Sequence, residues 1–162
     1  MQKLNPKPDS LIERILTAIF PFKNIDRKDC REYLHRWVLL KLWGGRRVYL
    51  HHFLGSDWST DMHDHPKVFV SLGIQGGYVE EVPRSPEQYG EQGGDLRRKR
   101  IQHVAPWVRW FPGPHVHRVR INRRVGCWTI CYLGKRTREW GFFHRGRWVW
   151  CKEYGSWFGG CD

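Results

Sequence analysis

The chain has 162 residues, enough for one domain that buries roughly 70% of the surface its unfolded form exposes. Lysine and arginine number 28 against 16 aspartates and glutamates, which makes the formal charge +12, and aromatic residues make up 15% of the chain. This composition argues against disorder, and no apolar run approaches the ~20 residues of a membrane-spanning helix. We therefore expect one folded domain that does not span a membrane.

The N-terminal residues predict an extended arm followed by a helix. Residues 1–9 are polar and interrupted by proline, which indicates an arm. Ser10 is the predicted helix N-cap, and Glu13, three residues later, completes a capping box. Apolar residues follow at helical spacing, at Leu11, Ile15 and Ile19. The resulting amphipathic helix ends at Pro21.

A second helix is predicted between Asp26 and Leu42. One side of it carries Cys30, Leu34, Trp37, Val38 and Lys41. Gly44 and Gly45 end it, because glycine readily adopts the backbone conformation that closes a helix. Residues 1–45 are thus a predicted arm with helices.

From residue 46 the pattern changes to the alternation typical of strands. Short runs, separated by turn residues, occur at 48–53, 67–74, 77–82, 101–110, 116–121, 127–133, 140–144 and 148–151. About eight short strands in residues 46–162 predict a closed or sandwiched antiparallel sheet. Residues 83–95 form a polar loop that is long enough to be an insertion or a lid.

The cysteines and the N-terminal sequence predict a reduced, cytoplasmic protein. The five cysteines are an odd number without a CxxC pair, which argues against a disulfide framework and excludes a zinc ribbon on spacing. The apolar stretch near the N-terminus contains Glu13 and Arg14 and has no small-residue cleavage site after it, so it is not a secretion signal.

Two histidine motifs indicate a metal site. His63 and His65, two positions apart, point to the same face of a strand. A Pro-Gly-Pro turn at 112–114 opens another strand, on which His115 and His117 share a face, so either can supply a third ligand. Imidazole suits iron, zinc, nickel and copper, and the ligand type alone does not choose the metal.

The segment HDHPKVFVSLGIQGGYVEE (63–81) and the run His117-Arg118-Val119 resemble the two motifs of the cupin superfamily. The resemblance covers residues 46–153 and is closest to the cysteine dioxygenase-like branch, with a further likeness to small uncharacterised bacterial and phage cupins. It implies a mostly β fold: a small antiparallel double-stranded β-helix (cupin or jelly-roll barrel) in residues 46–162, with one or two N-terminal helices packed outside.

The same resemblance implies one divalent metal ion held by His63, His65 and His117, with His115 as the alternative third ligand. Fe(II) is the expected ion, and zinc, nickel or manganese are alternatives. The implied activity is that of a mononuclear non-haem iron dioxygenase that oxidises a small anionic or thiol metabolite.

Other motif positions depart from the family pattern. Cupins usually place a glutamate ligand four or five residues after the second histidine, where this chain has Phe69 and Val70, so the expected ligand set contains no carboxylate. Animal-type cysteine dioxygenases have a cysteine, crosslinked to a tyrosine, at the position of Val70, and that crosslink is impossible here. By resemblance, Tyr132 matches the active-site tyrosine, and Arg47 is the candidate that holds a substrate carboxylate.

Strand alternation also predicts the orientation of the polar residues near these motifs. Asp64 must point away from the two histidines that flank it, and a surface ion pair is its simplest role. Alternation allows one member of the pair Glu80 and Glu81 to point inward. His52 is expected inside the barrel, as a hydrogen-bonded core residue or as a partner of a ligand.

The basic residues support an alternative function. Residues 97–100 (Arg-Arg-Lys-Arg) are either a solvated loop end, the simpler interpretation, or a stripe that contacts phosphates. The alternative is a non-catalytic, metal-stabilised binding module whose basic surface contacts nucleic acid or an acidic protein. A non-redox cupin enzyme that uses zinc or manganese is a third hypothesis, and the N-terminal helix leaves a homodimer open.

Overall fold

The computed structural model describes residues 10–26, 32–84 and 98–158, which are mostly antiparallel strands. Two α-helices lie near the ends of this part of the chain, α1 (Leu11–Ile19) and α2 (Cys151–Phe158), and a single 3-10 turn spans Trp43–Gly45. The strands between them are β1 (Phe22–Asp26), β2 (Glu32–Lys41), β3 (Arg47–Phe53), β4 (Met62–His63), β5 (Lys67–Pro83), β6 (Arg98–Val104), β7 (Trp107–Phe111), β8 (Arg118–Ile121), β9 (Cys127–Arg136), β10 (Gly141–His144) and β11 (Arg147–Trp150). Neither helix is long and apolar enough to cross a membrane.

The described strands pair into two antiparallel sheets that enclose one cavity. The larger sheet has the order β1-β2-β3-β9-β5-β6, and β7 and β8 also pair with β5. The smaller sheet has the order β11-β10-β4. Buried side chains from both walls meet inside, as expected of a closed antiparallel architecture. The predicted fold class, a mostly β antiparallel barrel with an N-terminal helix, is confirmed.

Strand β5 joins the two walls of the barrel at a glycine. Its first half pairs with β9 and β7, and from Gly77 onward it pairs with β6 and β8. Gly76 has a φ of +74°, and a Cβ at this position would lie 2.2 Å from the carbonyl oxygen of Gly126. Only glycine fits both the conformation and the space. The two strands predicted at 67–74 and 77–82 are therefore one strand with a bend.

The second predicted helix is wrong over Glu32–Lys41, because this segment is strand β2 between β1 and β3. Leu34 and Arg36 line the cavity, so His35 and Trp37 lie on the opposite face of the strand. Both faces of β2 are covered, and apolar residues on two faces imitate the spacing of a helix.

Helix α1 has the predicted capping box but an unexpected orientation. The Ser10 hydroxyl accepts a hydrogen bond from the Glu13 amide at 3.2 Å, and the Glu13 carboxylate accepts one from the Ser10 amide at 3.3 Å. The helix turns Glu13 and Thr17 towards the sheet, where Trp37 donates to the Thr17 hydroxyl. Apart from Arg14, its exposed residues are apolar: Leu11, Ile12, Ile15, Ala18 and Ile19. Buried imidazoles and indoles in the sheet need polar partners, and Glu13 and Thr17 on this side of the helix provide them.

The cysteines differ in state. Cys127 and Cys131 are free and buried, and burial raises the pKa of Cys127 to about 11 and that of Cys131 to about 12, so both are inert thiols. Cys151, at the start of α2, is disulfide-bonded, which corrects the expectation of a fully reduced set.

Some predictions fall on residues that the structure does not describe. The arm at 1–9, Cys30 and residues 85–95 of the predicted polar loop lie outside the described ranges. The division into an N-terminal part (1–45) and a barrel (46–162) stays a prediction. Strands β1 and β2 of that N-terminal part hydrogen-bond into the same sheet as β3.

The bend at Gly76 can be tested against a glycine that lacks its steric constraint. Gly45 has a φ of +75°, but no described atom lies within 4 Å of the place that a Cβ would take there. We expect Gly45→Ala to lower the free energy of unfolding by about 1 kcal/mol, from backbone conformation alone. Gly76→Ala should cost about 3 kcal/mol or more, because the methyl group also meets a backbone oxygen. Chemical denaturation measures both, and equal losses would contradict the steric argument.

Candidate metal centre

Backbone pairing brings two distant histidines together. His63, at the end of β4, and His117, just before β8, form an antiparallel bridge. The His63 amide donates to the His117 carbonyl at 2.9 Å, and the His117 amide donates to the His63 carbonyl at 3.0 Å. Residues opposite each other in such a bridge project to the same side. The His65 amide donates to the Gly113 carbonyl at 2.9 Å, so the Pro-Gly-Pro turn positions the third histidine.

The three imidazoles converge at the cavity. One ring nitrogen from each lies within 4.8 Å of those of the other two. The Nε2 atoms of His65 and His117 face each other at 2.8 Å. Two nitrogens that bind one ion at a right angle, each at about 2.1 Å, lie about 3 Å apart. The observed spacing therefore suits a shared ion.

Burial keeps two of these imidazoles neutral, which is the state that binds a metal. Desolvation lowers the pKa of His63 to about 4 against the opposing effect of the Asp57 carboxylate. Desolvation also lowers the pKa of His65 well below its ordinary value, with a smaller contribution from the neighbouring histidines. At neutral pH both rings carry a free lone pair.

A buried carboxylate orients the third imidazole. Glu80 on β5 is fully buried, and its Oε1 atom accepts a hydrogen bond from Nδ1 of His117 at 2.8 Å. Burial raises the pKa of Glu80, but hydrogen bonds from His115 and His117 and the charge of Arg109 outweigh burial and hold that pKa far below its usual range. An ionised carboxylate can only accept, so the proton of His117 is on Nδ1 and its Nε2 lone pair faces the cavity.

The structure brings His117, and not His115, to the other two histidines. His115 donates from Nε2 to Oε1 of Glu80 at 2.7 Å. Its donor atom groups with Glu80 and His117, whereas His63 and His65 group with His117. His115 therefore contacts the carboxylate that orients His117.

His63 retains a buried nitrogen without a partner among the described residues. Its Nδ1 atom makes no hydrogen bond there, and the nearby Oδ2 of Asp57 is 3.8 Å away. The Asp57 oxygens accept other hydrogen bonds, from the Tyr33 hydroxyl at 2.7 Å and from the Val119 amide at 2.6 Å. Buried polar atoms are rarely left unsatisfied, and an ion bound in the cavity would explain such an exception. The donor set thus fits a divalent transition metal ion.

Asp64 is a structural residue and not the surface ion pair that was expected. Only 2% of it is exposed. Its carboxylate accepts from the Gly141 amide at 2.7 Å, from Arg138 at 2.6 Å and from the Trp148 indole at 3.2 Å. The smaller sheet covers the face opposite the histidines, so the aspartate anchors β10 and β11 behind the centre.

The imidazoles line a cavity of about 300 Å³, a size that suits a small molecule. Its other walls are largely apolar and include Leu34, Phe53, Phe69, Phe111 and Leu133. Arg36 of β2 lines the same cavity and donates from Nε to Nε2 of His51 at 3.0 Å. Desolvation, and then the charge of Arg36, lowers the pKa of His51 well below its ordinary value, so His51 stays neutral and accepts. Such a guanidinium is a binding group for an anion.

Arg36 is not among the predicted site residues, because it lies within the segment predicted as the second helix. The available signal was the alternation of the aromatic residues Tyr33, His35 and Trp37, which is strand-like. His52, expected inside, lies on the outer face of β3, while its neighbour His51 lines the cavity.

The two residues predicted to act on a substrate do not line the cavity. Tyr132 alternates with Cys131 and Leu133, which do line it, so the tyrosine side chain points to the opposite face of β9. Arg47 lies at the first position of β3, and the cavity begins further along this strand, at His51. The structure therefore offers Arg36 in place of Arg47, and the tyrosines that line the cavity are Tyr33 and Tyr78 rather than Tyr132.

The predicted basic run is part of a strand rather than a loop end. Residues 98–100 belong to β6, and residue 97 lies outside the described ranges. Glu81, 2% exposed, points to the outer face of β5 and there contacts four guanidiniums. They belong to Arg98, Arg100, Arg118 and Arg120, at 3.1–3.3 Å. We call this group the arginine face.

Comparison with known proteins identifies the architecture. No protein-family model and no curated protein matches the chain. HppE in its Fe(II) form matches with a TM-score of 0.53 and 9% identity, over 72% of this chain and 57% of that one. Hydroxypropylphosphonic acid epoxidase from S. wedmorenis matches with a TM-score of 0.50 and 8% identity, over 70% and 56% of the two chains.

A cupin-2 domain protein from Rhodospirillum rubrum matches with a TM-score of 0.51 and 12% identity, over 74% of this chain and 72% of that one. The match spans little more than half the length of the first two proteins, at 57% and 56%. Likeness at such low identity shows the fold alone, and the specific resemblance to cysteine dioxygenases finds no support in it. The chain has the cupin fold.

Proposed function

We propose that the chain is a metal-dependent enzyme, a mononuclear non-haem iron oxygenase that acts on a small anionic metabolite inside the barrel. His63, His65 and His117 hold one divalent ion in this proposal. Fe(II) is the first choice, because imidazole donors suit it and because HppE, which shares the fold, has an Fe(II) form. Zinc, nickel and manganese are the alternatives that metal analysis distinguishes.

The observation that carries the proposal is the presence of three convergent imidazoles and one guanidinium in the same cavity. Neutral imidazoles leave the full charge of a divalent ion uncompensated. Arg36 adds a further positive charge on the wall, while the Asp57 carboxylate is occupied by Tyr33 and Val119. A small anion is the substrate class that best neutralises such a cavity.

The residues of the chain perform four tasks in this proposal. Arg36 binds the anionic end of the substrate, and His51 holds the guanidinium in place. The apolar wall around Phe69 and Phe111 excludes water. Glu80 keeps the proton on Nδ1 of His117 so that Nε2 stays available. A bound Fe(II) ion would supply the redox chemistry, for which a thiol is one candidate acceptor of oxygen.

Metal retention tests the ligand assignment. We expect His117→Ala to weaken metal affinity by at least about 100-fold, since it removes a donor atom. His115→Ala is the matched control, because it removes a histidine from the same Glu80 carboxylate without touching the convergence point, and it should retain the ion. Mass-spectrometric metal analysis of protein purified without a metal-affinity tag measures both. Loss in His115→Ala with retention in His117→Ala would reassign the ligand.

The reaction class is tested by oxygen uptake. Iron-loaded protein should consume oxygen with at least one member of a panel of small carboxylates, phosphonates and thiols. We expect Arg36→Met to raise KM for that substrate about 10-fold or more, because a charge-assisted hydrogen bond contributes about 1.5–3 kcal/mol. Arg47→Met, outside the cavity, should leave KM unchanged. If the purified protein contains zinc instead of iron, and no member of the panel causes oxygen uptake, the proposal of an oxygenase is wrong.

The arginine face favours a second candidate function, binding of nucleic acid by a protein whose metal has a structural role. One buried carboxylate there holds four guanidiniums, and Arg100 and Arg120 are 69% and 49% exposed. Guanidiniums spread over neighbouring strands can contact successive phosphates of a polyanion.

A salt series on single-stranded DNA and RNA tests this candidate. If the arginine face binds phosphates, the logarithm of the affinity falls linearly with that of salt concentration, and Arg100→Ala with Arg120→Ala lowers the slope by about 2. Arg136→Ala is the control, since Arg136 is exposed elsewhere and pairs with Glu139. A flat salt dependence, or equal effects of the control, would remove nucleic acid as the partner.

A further inference from the structure

A second cluster of ligand atoms lies on the outer surface of the barrel, under helix α1. Oε1 of Glu13 is 2.8 Å from Nδ1 of His35 and 2.8 Å from Nδ1 of His52. The three donor atoms lie within 4.8 Å of one another. Glu13 comes from α1, and the two histidines are directly paired across β2 and β3. Side chains of Glu13 and His35 are only 4% and 3% exposed.

This cluster is separate from the cavity because of strand alternation. Arg36 and His51, the sequence neighbours of the two histidines, line the cavity, so His35 and His52 lie on the other side of the same sheet. The indole of Trp128 stacks on His52 with ring centroids 4.1 Å apart and holds that imidazole in its orientation.

The surroundings of the two ring nitrogens of His35 are explained better by a bound ion than by hydrogen bonds among Glu13, His35 and His52 alone. If Nδ1 of His35 donates to Glu13 in a neutral ring, its buried Nε2 is an acceptor, and no donor faces it among the described residues. The group that does face Nε2 is another acceptor, Oε1 of Glu32, at 3.8 Å. If Nδ1 instead binds an ion, Nε2 carries the proton and is directed at a carboxylate, as is usual for metal-bound imidazoles.

We propose that Glu13, His35 and His52 bind a second divalent ion, of the zinc class, outside the barrel wall. Two imidazole nitrogens and one carboxylate oxygen are a donor set that zinc accepts. The site has a structural role: it ties α1 to the sheet through the only acidic residue in the sequence of the helix.

The orientation of α1 explains why an ion that links this helix to the sheet would stabilise its docking. Its apolar residues Leu11, Ile12, Ile15 and Ile19 face outward and contribute little to docking on the sheet. The side-chain hydrogen bonds from the helix to the sheet come from Glu13 and Thr17. A bound ion therefore couples the folding of the N-terminal segment to metal binding.

The experiment measures Zn²⁺ binding in a protein whose cavity site has been removed. His65→Ala with His117→Ala deletes two donors of the cavity centre and leaves the outer cluster intact. We expect this double variant to bind one Zn²⁺ per chain, and addition of Glu13→Gln to weaken that binding by at least about 100-fold. Thr17→Val is the matched control: it removes the other polar contact of α1 with the sheet and should leave zinc affinity within a few-fold of the parent.

Failure of this proposal is distinguishable from failure of the proposed function. A double variant that is folded by circular dichroism and binds no zinc overturns the outer site, whatever the cavity binds. If the double variant does not fold, Glu13→Gln in the otherwise unchanged chain provides the same decision: zinc stoichiometry falls by one ion per chain if the outer site exists. An unchanged stoichiometry overturns it.

Discussion

A single buried carboxylate, that of Glu80, is the constraint on which the interior of this barrel depends. A buried charge is stable only where hydrogen-bond donors replace the solvent. The donors to Glu80 come from different elements: His103 on β6, Arg109 on β7, and His115 and His117 on the segment that leads into β8. The interactions that make this charge tolerable also determine which nitrogen of His117 is protonated. The stability of the core is therefore coupled to the protonation state of His117 that leaves its Nε2 atom free to bind a metal ion.

Because side chains alternate between the two faces of a sheet, strands β2 and β3 contribute residues to two different clusters. Along β2 and β3, Arg36 and His51 face the cavity, where they form a hydrogen-bonded pair. Their neighbours His35 and His52 face the opposite side and meet Glu13 of the helix. A shift of either strand by one residue would exchange the two sets and destroy both clusters. The register of β2 against β3 is thus as important for the proposed functions as the histidine motif itself.

The similarity in fold excludes fewer candidate functions for this chain than the side chains of its cavity do. A cupin barrel hosts many reactions, and a match below 15% identity transfers none of them to this chain. Chemical information comes from the donor atoms and from the guanidinium in the cavity. A largely apolar wall with a few convergent polar groups is typical of a small-molecule site.

The amino-acid sequence by itself determined the features that depend on local spacing. Neighbouring residues predicted the capping box of Ser10 and Glu13, the strand alternation after residue 46 and the histidine pair at 63 and 65. Only the tertiary structure decided the helix or strand state of β2, the partners of Asp64 and Glu80, and the residue that presents a cation to the cavity. A segment covered on both faces carries no unambiguous period, and His117 reaches Glu80 across 37 positions of sequence. Such contacts follow from the register of paired strands, which local residue patterns do not specify.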